Sequence, residues 1–188
     1  MQAPARSAVE YEVQVQDNSK PSPFRLGPGP EAESAWQRIL DHHNVAVSSD
    51  DLKRINRTSV KLLNQEGYLS FLDFTHELHC LNYIRQSAYP EYYKLEAALR
   101  TEHTTHCLTS IMEILMCHGD ISVHTFQMDF ETGRIHPNPL IERECRRYEP
   151  LDKWNEAHQP VMGHGPILKN PFSNTEFDSE ETNSTRAE

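Results

Sequence analysis

Two short segments of this 188-residue chain follow one pattern. His76-Glu77-Leu78-His79-Cys80 and His103-Thr104-Thr105-His106-Cys107 both read His-x-x-His-Cys. On a helix, residues i and i+3 stand on one face about a turn apart. Each histidine pair can therefore chelate an ion, and four imidazoles converge if the two helices pack side by side. A lone histidine on a helix is usually a surface or satisfied core residue. Two identical motifs on two helical segments point instead to metal ligation.

The surrounding pattern predicts those helices. One runs from about Asp73, read as its cap, to Ala88, where Tyr89-Pro90 stops it. The segment EYYKLEAALR is a further helical piece. A longer helix spans about Thr101 to Cys117 and ends at Gly119. Leu108, Ile111, Met112 and Leu115 recur at i, i+3, i+4, i+7, and Leu78, Leu81 and Ile84 mark a matching stripe. These stripes are expected to form the helix–helix contact, with the histidines at its edge about 100° away.

The rest of the chain frames this pair. Pro30 opens a helix whose first turn carries Glu31 and Glu33 and whose apolar side is Trp36, Ile39 and Leu40. Ser48 or Ser49 caps a second short helix. SVKLLNQEGYLSFLDF predicts a β-hairpin turning at Asn64–Gly67. ISVHTFQMDF followed by ETGRIHPNP predicts another strand and turn, and PLDKWNEAHQ a last helix. The expected fold class is mainly α (α+β): a helical core around the two motif helices, with one or two small hairpins. Residues 1–29 read as an extended N-terminal arm, partly ordered at best. Residues 30–165 are expected to form one metal-binding domain, and 166–188 an acidic, disordered tail.

Several functions are excluded. A net charge of −10, with no basic patch, argues against nucleic acid as a partner. His76-Glu77-Leu78-His79 has i, i+3 spacing, not the i, i+4 of the zinc-protease motif. No G-x-S-x-G, P-loop or G-x-G-x-x-G is present. No run approaches the roughly 18 apolar residues of a membrane span.

The cysteines Cys80, Cys107, Cys117 and Cys145 leave the metal open. As thiolate ligands, Cys80 and Cys107 would make structural zinc the default. Paired with each other, beside a Cys117–Cys145 bridge, they would leave a histidine site that leans toward redox copper. Candidate supporting residues are Glu77, Tyr83, His118 and His124. His42 and His43 are read as loop residues and not as ligands. Asn56 and Asn183 head glycosylation sequons.

In context, HELHCLNYIRQ and HTTHCLTSIMEILMCHGD resemble the UstYa-type proteins of fungal biosynthetic clusters. GPGPEAESAWQRIL is similar to that family's Gly-x-Pro-x-Glu-x-x-x-Ala-Trp segment, and ECRRYEPLDKWNEAHQ to its closing Cys-Arg…Trp segment. The likeness spans about residues 27–158. It implies copper, one or two ions, with His76, His79, His103 and His106 as metal-binding and catalytic residues. It implies oxidative tailoring of secondary metabolites: cyclisation, including that of ribosomal peptides, hydroxylation or halogenation. The partners implied are a small-molecule or peptide substrate and molecular oxygen, with assembly into homo- or hetero-oligomers with related proteins. Members commonly carry an N-terminal membrane helix. The resemblance thus implies a domain on the lumenal, secretory-pathway side, soluble as given, its anchor removed or absent. That location favours disulfides. Thr105 stands where the family often has an acidic residue. Two rival readings are a zinc-binding structural interaction module using two His and two Cys, and a non-redox cyclase or transacylase.

Overall fold

A computed structural model describes residues 3–161, 166–169 and 176–178. In chain order the elements are β1 (Tyr11–Asp17), α1 (Pro30–Leu40), β2 (Asn44–Val47), α2 (Ser49–Arg54), β3 (Tyr68–Phe71), α3 (Asp73–Ser87), α4 (Pro90–Tyr93), α5 (Ala97–His118), β4 (Phe126–Asp129), β5 (Arg134–Pro137), β6 (Leu140–Arg146), α6 (Tyr148–Ala157), β7 (Pro166–Lys169) and β8 (Glu176–Asp178). Helices dominate, and the strands form antiparallel pairs, β1 with β6, β2 with β3, β4 with β5 and β7 with β8. This is the mainly α class with small hairpins. No helix among the described residues is long and apolar enough to cross a membrane.

Local chemistry sets most boundaries. Pro30 occupies the first helical turn of α1 with Glu31 and Glu33, where the missing N–H costs nothing and negative charge meets the helix dipole. Ser48 and Asp51 form a reciprocal capping box at α2. Asp73 is the first residue of α3 rather than its cap; Leu72 holds the cap position in extended backbone, without a side-chain bond. Lys94, left-handed at φ 56°, ends α4, so residues 97–100 join α5 instead of a separate piece. Gly119 ends α5 at φ 46°, its N–H returning to the Leu115 carbonyl. That conformation suits a residue without Cβ.

The α3–α5 contact organises the molecule, but of the expected stripes it takes in Ile84 and Ile111 and leaves others outside. Leu81, Leu108, Met112 and Leu115 are exposed. The buried residues are Cys80, Tyr83 and Cys107, with Ile84 and Ile111 packed against them. The helices thus meet along the motif face itself. Small cysteine side chains let the backbones approach, and Ser87 and Thr104 hydroxyls bond across the gap at 2.8 Å. The outer face of α5, through Leu115 and Met116, stays apolar and exposed, as do Ile121, Phe126 and Phe130 beyond it.

α1 locks onto α3 through one ion pair. Arg85 donates to both Glu33 oxygens at 3.1 Å, Tyr93 donates to Oε1 at 2.6 Å, and the guanidinium lies over the Trp36 and Tyr93 rings.

The hairpin expected around residues 59–72 is a stub: Lys61 bridges Tyr68, and the Leu62 N–H bonds the Gly67 carbonyl. The full partner of β3 is β2, in register from Asn44 opposite Phe71 to Val47 opposite Tyr68. Val45 and Val47 are buried on Leu52, with Ile55, Tyr68 and Trp154 against them, so β2 brings two buried valines where the 59–63 segment buries Leu62 alone. The N-terminal arm is also better ordered than its composition indicates. β1 pairs residue by residue with β6, from Tyr11 opposite Arg146 to Asp17 opposite Leu140. Most of the tail expected to be disordered, and Asn183 with it, lies outside the described residues.

Candidate metal centre

α3 and α5 bring the two motifs together reciprocally. His76 meets His106, ring centroids 5.7 Å apart, and His79 meets His103 at 5.8 Å. Within each motif the spacings are 6.4 Å for His76–His79 and 6.2 Å for His103–His106. The first histidine of each motif thus faces the second of the other, an approximately twofold arrangement. With metal–nitrogen bonds of about 2 Å, imidazoles sharing one ion stand with centroids roughly 5 Å apart. The four rings lie close to that spacing.

His106 is exposed, and the other three are half-buried. Burial, then the neighbouring His106 and His76, hold His103 below the usual imidazole range, which favours the neutral ring with one nitrogen lone pair open to a metal. Its Nδ1 is buried and has no hydrogen-bond partner. A buried polar atom without a partner is costly; an ion between the rings would satisfy it. Donor type, spacing and this orphaned nitrogen all fit a metal.

The cysteines sit beneath the rings. Cys80 and Cys107 are fully buried and pack in one cluster with Tyr83. Burial pushes both thiols up. Cys80 Sγ is 3.7 Å from His76 Nε2, and donor atoms of His76, Cys80 and His106 all lie within 4.8 Å of one another. All four cysteines are free thiols in this structure. Cys80 and Cys107 touch as thiols. Cys117 is exposed at the end of α5, and Cys145 is half-buried on β6.

Of the supporting candidates, Tyr83 stands at the site, its ring 4.0 Å from that of His103. Glu77 is half-buried on α3, its carboxyl raised by burial and by Asp73. His118 is the exposed last residue of α5, twelve residues or about 18 Å of helix beyond His106. His124 is exposed in the following loop. Asn56 is exposed just after α2 in left-handed backbone. His42 bonds Asp152 at 3.0 Å and ties the end of α1 to α6.

The sequence reading set His43 aside as a loop residue, but the fold brings it beside the motif histidines. Its ring is 5.8 Å from His79 and stacks on Phe71 at 5.3 Å, and Phe71 stacks in turn on His76 at 5.6 Å. The available signal was the alternation of Asn44-Val45-Ala46-Val47, which marks a strand able to pair with the one leading into the first motif.

A family model described as "Mycotoxin biosynthesis protein UstYa" matches residues 1–158. The chain belongs to the UstYa family. Among curated proteins it is 28% identical over 154 residues to the UstYa family oxidase phomYc of Diaporthe leptostromiformis, covering 74% of this chain and 60% of that one. It is 29% identical over 152 residues to the UstYa family oxidase aprY of Aspergillus flavus, covering 69% and 45%. It is also 24% identical over 178 residues to the transacylase cctO of Talaromyces islandicus, covering 82% and 59%. The chain spans about half the length of the curated relatives it matches. No solved structure matches it significantly.

Proposed function

We propose that this UstYa-family domain is the catalytic part of an oxidative tailoring enzyme of secondary metabolism, with copper held by His76, His79, His103 and His106. The observation that carries the reading is the reciprocal meeting of the two motifs, which turns two incomplete His pairs into one four-imidazole centre. Copper bound there supplies one-electron chemistry, with molecular oxygen as oxidant, for oxidation of a small-molecule or peptide substrate. The protein contributes geometry. Buried Cys80 and Cys107 set the distance between the helices. Tyr83 fixes the His103 ring, and Phe71 stacks on His76. Exposed His106 marks the side open to substrate. The oxidase names of several relatives support this reading.

A second reading, acyl transfer, rests on the likeness to the transacylase cctO. One experiment separates the two. His76→Ala/His103→Ala is introduced in the producing organism, and its metabolites are profiled by mass spectrometry. The oxidative reading predicts a precursor differing from the product by two hydrogens, one oxygen or one halogen. A precursor differing by an acyl rearrangement supports the second reading. An unchanged profile contradicts both.

A further inference from the structure

We propose that His43 is a fifth imidazole donor of the metal centre, entering from the loop that leads into β2, on the side of His79. The inference rests on the metal-binding reading above and extends it to a residue outside both motifs.

The spacing carries the argument. The His43 ring is 5.8 Å from His79, equal to the His79–His103 separation and shorter than either separation within a motif. By ring distance, His43 stands as near to His79 as His103 does. Its position is built. Thr75, buried on the first turn of α3, donates its hydroxyl to the Leu72 carbonyl at 2.7 Å, with the His43 carbonyl 3.4 Å from the same oxygen. Asn44, the next residue, is in register with Phe71. The Phe71 ring stacks on His43 at 29° between planes and on His76 at 27°, so one aromatic side chain aligns an imidazole from the loop before β2 with one from α3. His43 itself is half-buried.

A donor from outside the two helices has a chemical consequence. The motif histidines come from two helices and can be satisfied by one ion; a fifth imidazole beside His79 raises affinity and the count of coordinated nitrogens, or completes a second ion on that side. Each alternative changes metal binding when His43 is removed, independently of any turnover.

The test is a Cu(II) titration of the purified chain against a competing chelator, with pulsed EPR counting coordinated imidazoles. The variants are His43→Phe, which keeps a ring to stack on Phe71, His43→Asn, and His79→Ala as reference. Melting temperatures without metal report on folding. The expected result for both His43 variants is a tenfold or greater loss of Cu(II) affinity, or loss of one equivalent, with one fewer imidazole per protein and a metal-free melting point near wild type. Wild-type affinity and imidazole count in both variants, with His79→Ala impaired, would overturn the inference while leaving the four-histidine reading intact. If wild type takes up no Cu(II), the copper reading fails, and the same variants are compared with Zn(II). Loss of Zn(II) affinity in the His43 variants would uphold the fifth donor. Wild type binding neither ion would overturn it.

Discussion

Cys80 and Cys107 define how close the histidines can come. Both are fully buried where α3 crosses α5, and a larger side chain there has no room. Cys107→Leu is expected to cost about 1–3 kcal/mol through overpacking and to lower metal affinity as the helices separate; chemical denaturation and Cu(II) titration check the two effects. Arg85 is the other residue on which the helix assembly turns. Its side chain is 11% exposed, and it holds Glu33 from α1. Arg85→Ala is expected to destabilise by about 1–3 kcal/mol, since it leaves the carboxylate with only Tyr93. The Arg85 hydrogen bond, then that of Tyr93, hold the Glu33 carboxyl below its ordinary 4.5 against the effect of burial. A lowered carboxylate stabilises the fold fully above its unfolded pKa, and that stabilisation is lost as pH falls below about 4.5 through the folded value. Wild type should lose more of its melting temperature over that interval than Arg85→Ala does. Four histidines of the centre were legible because their spacing repeats. His43 was not, because nothing local marks a loop histidine; it joins the site only through a pairing between distant segments.

Helices were read from sequence more faithfully than strand partners, for the same reason. Capping at Ser48, the stop at Tyr89-Pro90 and the left-handed end at Gly119 are local chemistry. The face on which α3 and α5 meet is not local. Hydrophobic periodicity on α5 selected Leu108, Ile111, Met112 and Leu115, of which Ile111 packs at the contact and the other three stay exposed. The sheet pairings depend on separation too: β3 passes over its nearest neighbour in sequence for β2, and β1 crosses the whole chain to reach β6. The β1–β6 ladder extends from Tyr11 to Asp17, and Arg147 pairs with Glu10 beside it at 2.6 Å. Removing residues 1–17 should therefore strip β6 of its partner and leave an open edge. The expected outcome is a lower melting temperature and self-association by light scattering, whereas an unaffected melt would mean that the ladder contributes nothing to stability.

Across the whole chain, one helix pair positions four imidazoles and the loop leading into β2 adds a fifth beside them, so folding and site assembly are one event. An ion that binds only the folded form stabilises it by mass action, and the orphaned His103 nitrogen gives it a place to bind. The most direct measurement is elemental analysis of the purified chain after Cu(II) and Zn(II) are offered together, in wild type and in His76→Ala/His103→Ala. Copper retained by wild type and lost from the variant is the predicted result. Zinc retained in place of copper, or copper retained equally by the variant, would contradict a four-histidine copper centre.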